Sequence, residues 1–255
     1  MGPDMPTFHD LLARDRKPIG SWIMSGSANV AEAMACRGFD FLVLDMEHVA
    51  VSVETVLHMA RAVQCRGVLP VIRLADHDPA RLRWMLDAGL DTVMVPMVDD
   101  AAQARDLAAV MAYPPEGRRG FAAMLRANAY GADPGYFDGT RSRAALIAQL
   151  ETPAALDALE EIAGVDGVDA LFVGPGDISA TTGEFGRPTG ASTLARLRDA
   201  IGRAGTAGIP IGTVMPAPEL VADMLAAGCA FGAVGSDLGF TTAAAGAALK
   251  TLRHD

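Results

Sequence analysis

The sequence has too few basic residues to suit a nucleic-acid-binding protein. Lys and Arg total 21 against 31 Asp and Glu, which gives a formal net charge of −10. A surface of this sign repels a phosphate backbone, and no stretch rich in Lys and Arg reverses it locally. We therefore expect no nucleic-acid partner and no nucleotide cofactor. An anionic small-molecule substrate remains compatible, because a metal ion or a few arginines can set the field inside a cleft.

Cysteine is also scarce, and long apolar segments are absent. The three cysteines, Cys36, Cys65 and Cys229, are far apart in the sequence and form no CxxC pair. An odd, scattered set indicates a reducing compartment rather than a disulfide framework. The first residues contain no apolar core of signal-peptide length, because Asp and Arg interrupt them, and no apolar segment approaches the length of a transmembrane helix. These features predict a soluble, cytoplasmic protein that has no membrane partner.

Aromatic residues make up only 5% of the chain, although 51% of it is hydrophobic. A core of this composition is aliphatic and is typical of buried strands and closely packed, Ala-rich helices. Eight short segments have the nearly continuous hydrophobicity of parallel strands that are buried on both faces. These segments are Ile19–Met24, Phe41–Met46, Leu69–Leu74, Thr92–Met97, Ala145–Leu150, Ala170–Val173, Pro210–Val214 and Phe231–Val234.

Helical segments lie between these strands, and several of them end in Gly, an ordinary helix stop. They are Val30–Arg37, Val53–Cys65, a helix opened by Asp78-Pro79, Ala101–Met111, Ala154–Ile162, Thr193–Ala207, Pro218–Ala227 and Thr242–Leu252. The alternation predicts an α/β protein with one domain over residues 1–255, a (β/α)8 TIM barrel. The alternative is an open doubly wound sheet. One connection, Ala112–Ala144, is long for a compact domain, and such loops are usually functional or disordered.

The active site of a TIM barrel lies at the carboxyl ends of its strands, so polar residues just after each apolar segment are the candidates. They are Asp45, Glu47 and His48 after the second strand, Arg73 at the end of the third, Glu151 after the fifth and Gly174–Asp177 after the sixth. Glu151 and Asp177 follow adjacent strands, which predicts an oxygen-ligand site suited to Mg²⁺ or Mn²⁺. Either carboxylate alone could instead cap a helix. The pair, beside His48 and Arg73, favours the metal site.

These residue types suit proton transfer and the stabilisation of an enolate. Histidine ordinarily titrates near neutral pH, which makes His48 the candidate proton shuttle. Arg73 can neutralise the charge that develops on an enolate oxygen, or it can form a structural ion pair with Asp45 or Glu47, and both roles can coexist. The Gly174–Asp177 turn enters a short helix, where backbone amides could bind a substrate carboxylate or simply shape a tight turn.

Lysine is nearly absent, and this excludes one mechanism. The chain has only Lys17 and Lys250, one before the first strand and one in the last helix. Neither stands at the carboxyl end of a strand, where the Schiff-base lysine of a barrel aldolase would be. Electrophilic activation must then come from elsewhere, and a metal ion is the simplest source.

Seven motifs occur in the order of a known family: LVLDMEH, PVIRL, TVMVPMVDDAAQAR, YPPEGRRG, QLE, VDALFVGPGDIS and FGAVGSDL. With these motifs the chain resembles the HpcH/HpaI aldolase family, of the class II pyruvate aldolases, from about Ile19 to Leu252. The resemblance implies a TIM barrel in a homo-oligomer, a hexamer or trimer, commonly with exchanged C-terminal helices. It also implies reversible retro-aldol cleavage of 4-hydroxy-2-oxo acids to pyruvate and an aldehyde.

The resemblance further implies roles for individual residues. Glu151 and Asp177 would bind Mg²⁺, Mn²⁺ or Co²⁺. His48 would assist proton transfer, and Arg73 would bind the keto or enolate oxygen. Asp87, in the helix after the third strand, matches a residue that reaches the histidine of a neighbouring subunit.

Other matching residues would surround the substrate. Gln149 would order the metal ligands, and the amides of Gly176 and Asp177 would hold the pyruvate carboxylate beside Gly174. Val214 would be an apolar wall. The RANAYG segment is similar to that of sugar-acid aldolases acting on 2-dehydro-3-deoxyglucarate, whereas Ala122-Ala123 replaces small polar residues of related members.

Two other functions are compatible with the same barrel. A citramalyl- or malyl-CoA-type lyase would need a basic groove for the CoA phosphates, which the sequence does not contain. A non-catalytic metabolite-binding barrel would have no need of His48, Arg73, Glu151 and Asp177 together.

Overall fold

The computed structural model describes residues 5–253, so both ends of the expected 1–255 domain fall outside the described residues. Eight parallel strands form a closed barrel in sequence order, and the first strand pairs with the last. The strands are β1 (Ile19–Ile23), β2 (Phe41–Asp45), β3 (Leu69–Arg73), β4 (Thr92–Val95), β5 (Ala145–Leu150), β6 (Ala170–Val173), β7 (Ile211–Met215) and β8 (Phe231–Ser236). Closure confirms the (β/α)8 prediction and rules out the open doubly wound sheet.

Helices surround the barrel and begin, in several cases, at Ser, Thr or Asp residues whose side chains accept a backbone N–H, as for Ser52 and Asp100. They are α1 (Phe8–Leu12), α2 (Ala28–Ala35), α3 (Val53–Gln64), α4 (Pro79–Asp87), α5 (Ala101–Met111), α6 (Thr140–Arg143), α7 (Pro153–Asp157), α8 (Leu159–Ala163), α9 (Pro175–Thr181), α10 (Ala191–Ala207), α11 (Pro218–Ala227) and α12 (Asp237–Arg253). None of the helices in residues 5–253 is long and apolar enough to cross a membrane.

Two of the expected helices show the largest differences from the sequence-based prediction, while other helix ends differ by one or two residues. The expected helix Ala154–Ile162 is divided into α7 and α8 at Ala158, whose ψ of 10° is outside the helical range. The last helix begins at Asp237 rather than Thr242. Its earlier start has a physical reason, because the buried Asp237 carboxylate accepts the backbone N–H groups of Met24, Ser25 and Leu238.

The core has two layers. An aliphatic layer lies between the strands and the surrounding helices, and a second cluster fills the inside of the barrel. The inner cluster contains several of the few aromatic residues of the chain, and among them Phe41, Phe172 and Phe231 are fully buried. Helix α1 closes the amino end, where the ring of Phe8 lies 5.2 Å from that of Phe231. This packing leaves the carboxyl end of the barrel for a ligand.

The long connection Ala112–Ala144 is folded rather than disordered. It contains two 3-10 segments, Ala129–Gly131 and Pro134–Gly139, followed by α6. Asn128 also organises it by accepting the N–H groups of Leu125 and Gly131. Because this connection runs from α5 into β5, it lies at the amino end of the barrel. It therefore cannot line the site at the carboxyl end of its own chain.

Candidate active site

A pocket with a volume of about 540 Å³ opens at the carboxyl ends of the strands. It is lined by predicted site residues from five strands or the turns after them. These are His48, Arg73, Gln149, Glu151, Gly174, Gly176, Asp177 and Val214. The strand-end candidates His48, Arg73, Glu151 and Gly174–Asp177 therefore lie in one pocket, together with Gln149 and Val214, which the resemblance implied.

Arg73 is held rigidly at the floor of this pocket. Its Nε and Nη2 donate to the two carboxylate oxygens of Asp45 at 2.9 and 2.7 Å, and its Nη1 lies 2.9 Å from Glu47 Oε2. The ring of Trp22 lies beneath the guanidinium, 5.4 Å from ring centroid to Cζ. The expected ion pairs with Asp45 and Glu47 are thus both present, and Arg73 still faces the pocket.

Asp45 also shapes the turn that carries His48. The carboxylate is completely buried, and its Oδ1 accepts the backbone N–H groups of Glu47 at 2.9 Å and His48 at 3.4 Å. The His48 imidazole remains 58% exposed, with Nε2 3.9 Å from Glu47 Oε2. The buried Asp45 carboxylate therefore fixes both the Arg73 guanidinium at the floor of the pocket and the backbone of His48 at its rim.

Glu151 is buried and held from two sides. Gln149 Nε2 donates to Oε1 at 2.5 Å, and the backbone N–H of Met97 donates to Oε2 at 3.2 Å. The helix-capping alternative for Glu151 is wrong, because Thr152 is the residue whose side chain accepts the Ala155 N–H at the start of α7. The Glu151 carboxylate is consequently available to the pocket.

The surroundings of Glu151 raise the pKa of its carboxyl group well above the ordinary value. Burial, followed by the negative charges of Glu47 and Asp177, raises the pKa of Glu151 to about 8, although the Met97 and Gln149 hydrogen bonds act in the opposite direction. Burial also raises the pKa of Glu47, against the attraction of Arg73. Crowded, desolvated carboxylates are unfavourable unless a proton or a cation neutralises them.

The donor set fits a hard divalent cation. Glu151 and Asp177 offer carboxylate oxygens, and the side-chain oxygen of Gln149 is buried without a hydrogen-bond partner. Oxygen donors with open positions for water and substrate suit Mg²⁺ or Mn²⁺. Within residues 5–253, no group of three or more His, Cys, Asp or Glu side chains has the arrangement of a metal site. A two-carboxylate site completed by other oxygens is compatible with that finding.

Gly174 is required by the position of Glu151. A Cβ at this residue would collide with the Glu151 Oε1 atom, although its φ of −86° is open to any residue. We expect Gly174→Ala to displace the carboxylate and to weaken Mn²⁺ binding by about 10- to 100-fold, the range for residues that orient a ligand. Electron paramagnetic resonance of free Mn²⁺ measures this affinity.

Gly176→Ala is the matched control, because a Cβ there would meet no atom within 4 Å. Circular dichroism would verify that both variants fold. Equal Mn²⁺ affinities for Gly174→Ala and Gly176→Ala would contradict the steric argument.

Asp87 is a predicted catalytic residue that neither lines this pocket nor contacts the predicted residues that do. It ends α4 at the amino end of the barrel, and its Oδ1 accepts from Arg119 Nη2 at 2.8 Å. The exposed Ala122 and Ala123 lie in the connection at the same end of the barrel. Any contribution of these residues to catalysis must therefore be made to the pocket of another copy of the chain.

Several residues of the pocket were not predicted from the sequence. The apolar walls include Trp22, Phe172 and Phe240. Trp22 could have been predicted as a pocket residue, since it lies near the carboxyl end of β1. Phe240 could not be predicted in this way, because it comes from the beginning of α12, a helix rather than a strand end. The contribution of Met97 is a backbone N–H, which no residue type reveals.

The chain is similar to known proteins over most of its length. The sequence model of the HpcH/HpaI aldolase/citrate lyase family matches residues 18–244. The 2-dehydro-3,6-dideoxy-6-sulfogluconate aldolase of Pseudomonas putida is 45% identical over 243 residues, 95% of each chain. The pyruvate aldolase of Rhizobium etli is 38% identical over 91% of each chain. A crystal structure of an HpcH/HpaI aldolase/citrate lyase family protein from Burkholderia cenocepacia J2315 superposes with a TM-score of 0.91 at 30% identity, covering 96% of this chain and 98% of that one.

Proposed function

Because the chain belongs to the HpcH/HpaI aldolase/citrate lyase family, we propose that it is a divalent-metal-dependent aldolase that cleaves 4-hydroxy-2-oxo acids reversibly to pyruvate and an aldehyde. The predicted enzyme class, a carbon–carbon lyase, is confirmed by relatives that are aldolases. One observation supports the metal dependence in this proposal. The buried Glu151 carboxylate, crowded by the charges of Glu47 and Asp177, faces a pocket that also contains Arg73 and His48.

The 2-oxo acid would be oriented by the floor of the pocket. Its carboxylate would accept the backbone N–H groups of Gly176 and Asp177, which lie in the first turn of α9 and have no acceptor within that turn. Its 2-oxo oxygen would face Arg73. The residues that hold the cation would be Glu151 and Asp177, supported by Gln149.

Cleavage then requires a proton to leave and an electron pair to be accommodated. His48 would remove the proton of the 4-hydroxyl group, the bond between C3 and C4 would break, and C4 would become the aldehyde carbonyl. The electron pair forms the enolate of pyruvate, whose oxygen Arg73 stabilises by a charge-assisted hydrogen bond. A divalent cation held by Glu151 and Asp177 would supply Lewis-acid polarisation of the 2-oxo group. Return of the proton from His48 to C3 would regenerate the imidazole and complete the release of pyruvate.

The exposed C-terminal helix supports a homo-oligomer. Of the described side chains of α12, only that of Asp237 is buried, and apolar residues such as Leu238, Leu249 and Leu252 are exposed. A helix that is neither packed on its own barrel nor polar all round needs a partner surface. We therefore include in the proposal a hexamer or trimer in which this helix is exchanged between subunits. We also propose a cytoplasmic location, which the few, scattered cysteines support.

The same assembly would give Asp87 a function. Asp87 and the exposed Phe121 and Met124 lie at the amino end of the barrel, away from the pocket of their own chain. In the proposed oligomer this end covers the mouth of a neighbouring pocket, where the Asp87 carboxylate orients the His48 imidazole of that subunit.

The aldehyde would derive from a 2-dehydro-3-deoxy sugar acid. Support comes from the 45% identity to the Pseudomonas putida sulfogluconate aldolase and from the RANAYG segment. A CoA-type lyase is less well supported, because Arg73 is the only Lys or Arg among the described residues that line the pocket. The CoA phosphates would require more positive charge than that.

Metal removal tests the proposal directly. We expect EDTA treatment to abolish the release of pyruvate from a 2-dehydro-3-deoxy sugar acid, and Mn²⁺ or Mg²⁺ to restore it. Lactate dehydrogenase coupling measures the pyruvate. Full activity in EDTA, or a covalent adduct trapped by borohydride in the presence of substrate, would contradict the metal-dependent mechanism. Pyruvate binding without turnover of any aldehyde in a panel would instead favour the metabolite-binding barrel.

A further inference from the structure

The peptide unit between Pro96 and Met97 lies between two side chains. Its carbonyl oxygen, on Pro96, is 2.7 Å from His77 Nε2, and its N–H, on Met97, donates to Glu151 Oε2 at 3.2 Å. The C=O and N–H of a planar trans peptide point to opposite sides. His77 and Glu151 are therefore joined through one rigid unit, although they do not touch.

The backbone here adopts a conformation that needs support. Met97 has a φ of 54°, in the left-handed region that a residue with a Cβ rarely occupies. Such a conformation persists only where the surroundings hold it. On one side the next N–H, of Val98, donates to the Gln149 carbonyl at 3.1 Å, and on the other side His77 binds the Pro96 carbonyl.

The hydrogen bond also defines what His77 contributes. A carbonyl oxygen only accepts, so Nε2 of His77 carries the hydrogen. His77 is half-buried in the turn between β3 and α4, just before the N-cap Asp78, and is not among the residues that line the pocket. The contact that links His77 to the site is its hydrogen bond to this peptide.

We propose that His77 is a positioning residue for Glu151: by fixing the Pro96–Met97 peptide, it directs the Met97 N–H onto Oε2 and holds the carboxylate in its metal-binding orientation. This inference rests on the proposed role of Glu151 as a metal ligand. The physical basis is twofold. The imidazole restrains the direction of the N–H, and its hydrogen bond polarises the peptide so that the N–H is a stronger donor.

The test compares two substitutions of His77. His77→Phe keeps a ring of similar size but has no donor, whereas His77→Gln restores an N–H donor. We expect His77→Phe to weaken Mn²⁺ binding by about 10-fold or more and His77→Gln to recover most of the loss. His58→Phe is the control, because His58 is exposed on α3, with an ion-pair distance of 3.9 Å to Glu54. Circular dichroism of all variants verifies folding.

A second readout is independent of metal. The sequence contains Pro followed by Met at one place, Pro96–Met97. Labelling with ¹³C-carbonyl proline and ¹⁵N-methionine therefore gives a single NMR correlation from this peptide. In metal-free protein we expect its amide proton to move to lower frequency in His77→Phe and to return in His77→Gln.

The two readouts separate the possible failures. Wild-type Mn²⁺ affinity in folded His77→Phe, or no recovery in His77→Gln, would overturn the positioning role even if the amide resonance moved. An unchanged amide resonance in His77→Phe would overturn the hydrogen bond itself. If wild-type protein bound no Mn²⁺, the proposed function would fail, and the amide resonance would still decide whether His77 holds the peptide.

Discussion

Replacement of Glu151 by glutamine is expected to reduce the rate of pyruvate release by about three orders of magnitude or more. Gln keeps the volume of the side chain but removes the charge that a divalent cation requires. Lewis-acid polarisation contributes several kcal/mol to catalysis, and each ~1.4 kcal/mol is tenfold in rate. Mn²⁺ affinity should fall by more than about 100-fold, beyond the usual effect of residues that only orient a ligand.

Glu160→Gln is the matched control for this substitution. Glu160 lies on α8 with its side chain 51% exposed and paired with Arg203. It is not among the residues that line the pocket. Its replacement should leave both the rate and the Mn²⁺ affinity unchanged. Wild-type Mn²⁺ affinity in folded Glu151→Gln would refute the assignment of Glu151 as a metal ligand.

The same variant carries a pH signature in metal-free protein. The pKa of Glu151 is about 8 in the folded chain, against an ordinary value of 4.5. Between these pH values the folded state keeps a proton that the unfolded state has lost, so the free energy of unfolding falls as the pH rises. The slope for one proton is at most about 1.4 kcal/mol per pH unit. Thermal unfolding in EDTA from pH 5 to 8 should show this fall in the wild type, and Glu151→Gln should show a weaker one.

Much of the candidate site could be predicted because a parallel barrel places chemistry at fixed points of the chain. His48, Arg73, Glu151 and Asp177 each follow an apolar segment, and strands of one barrel end at one rim. The Ala112–Ala144 connection lies at the amino end for the same reason, since it leads from a helix into a strand.

Other parts of the site depend on three-dimensional packing that no local pattern encodes. The N–H of Met97 reaches Glu151 only because the backbone turns left-handed there. Phe240 reaches the pocket because Asp237 anchors α12 against the turn after β1. The polar residues that follow strands therefore reveal neither a backbone N–H donor such as that of Met97 nor an aromatic side chain from a helix such as Phe240.

Arg73→Lys is expected to lower kcat by about 100- to 1,000-fold, the range for loss of one donor that stabilises an oxyanion. Arg73 makes two hydrogen bonds to Asp45 and one ion pair to Glu47 while facing the pocket. A lysine keeps the charge but not the planar fork, so it cannot bind both carboxylates and the substrate oxygen in the same geometry. Because the enolate charge develops only during the reaction, kcat should fall more than KM rises.

Arg73→Lys, which conserves the charge, is chosen because the Asp45 carboxylate needs a cationic partner. This carboxylate is completely buried, and removal of its cationic partner would cost about 3–5 kcal/mol of stability. Arg73→Met should therefore unfold at a markedly lower temperature, whereas Arg73→Lys should remain folded at the assay temperature. Arg203→Lys, in an exposed ion pair with Glu160, is the matched control and should leave kcat unchanged. A kcat within twofold of wild type for Arg73→Lys would mean that charge alone suffices, and that the fork held by Asp45 and Glu47 serves the fold rather than the reaction.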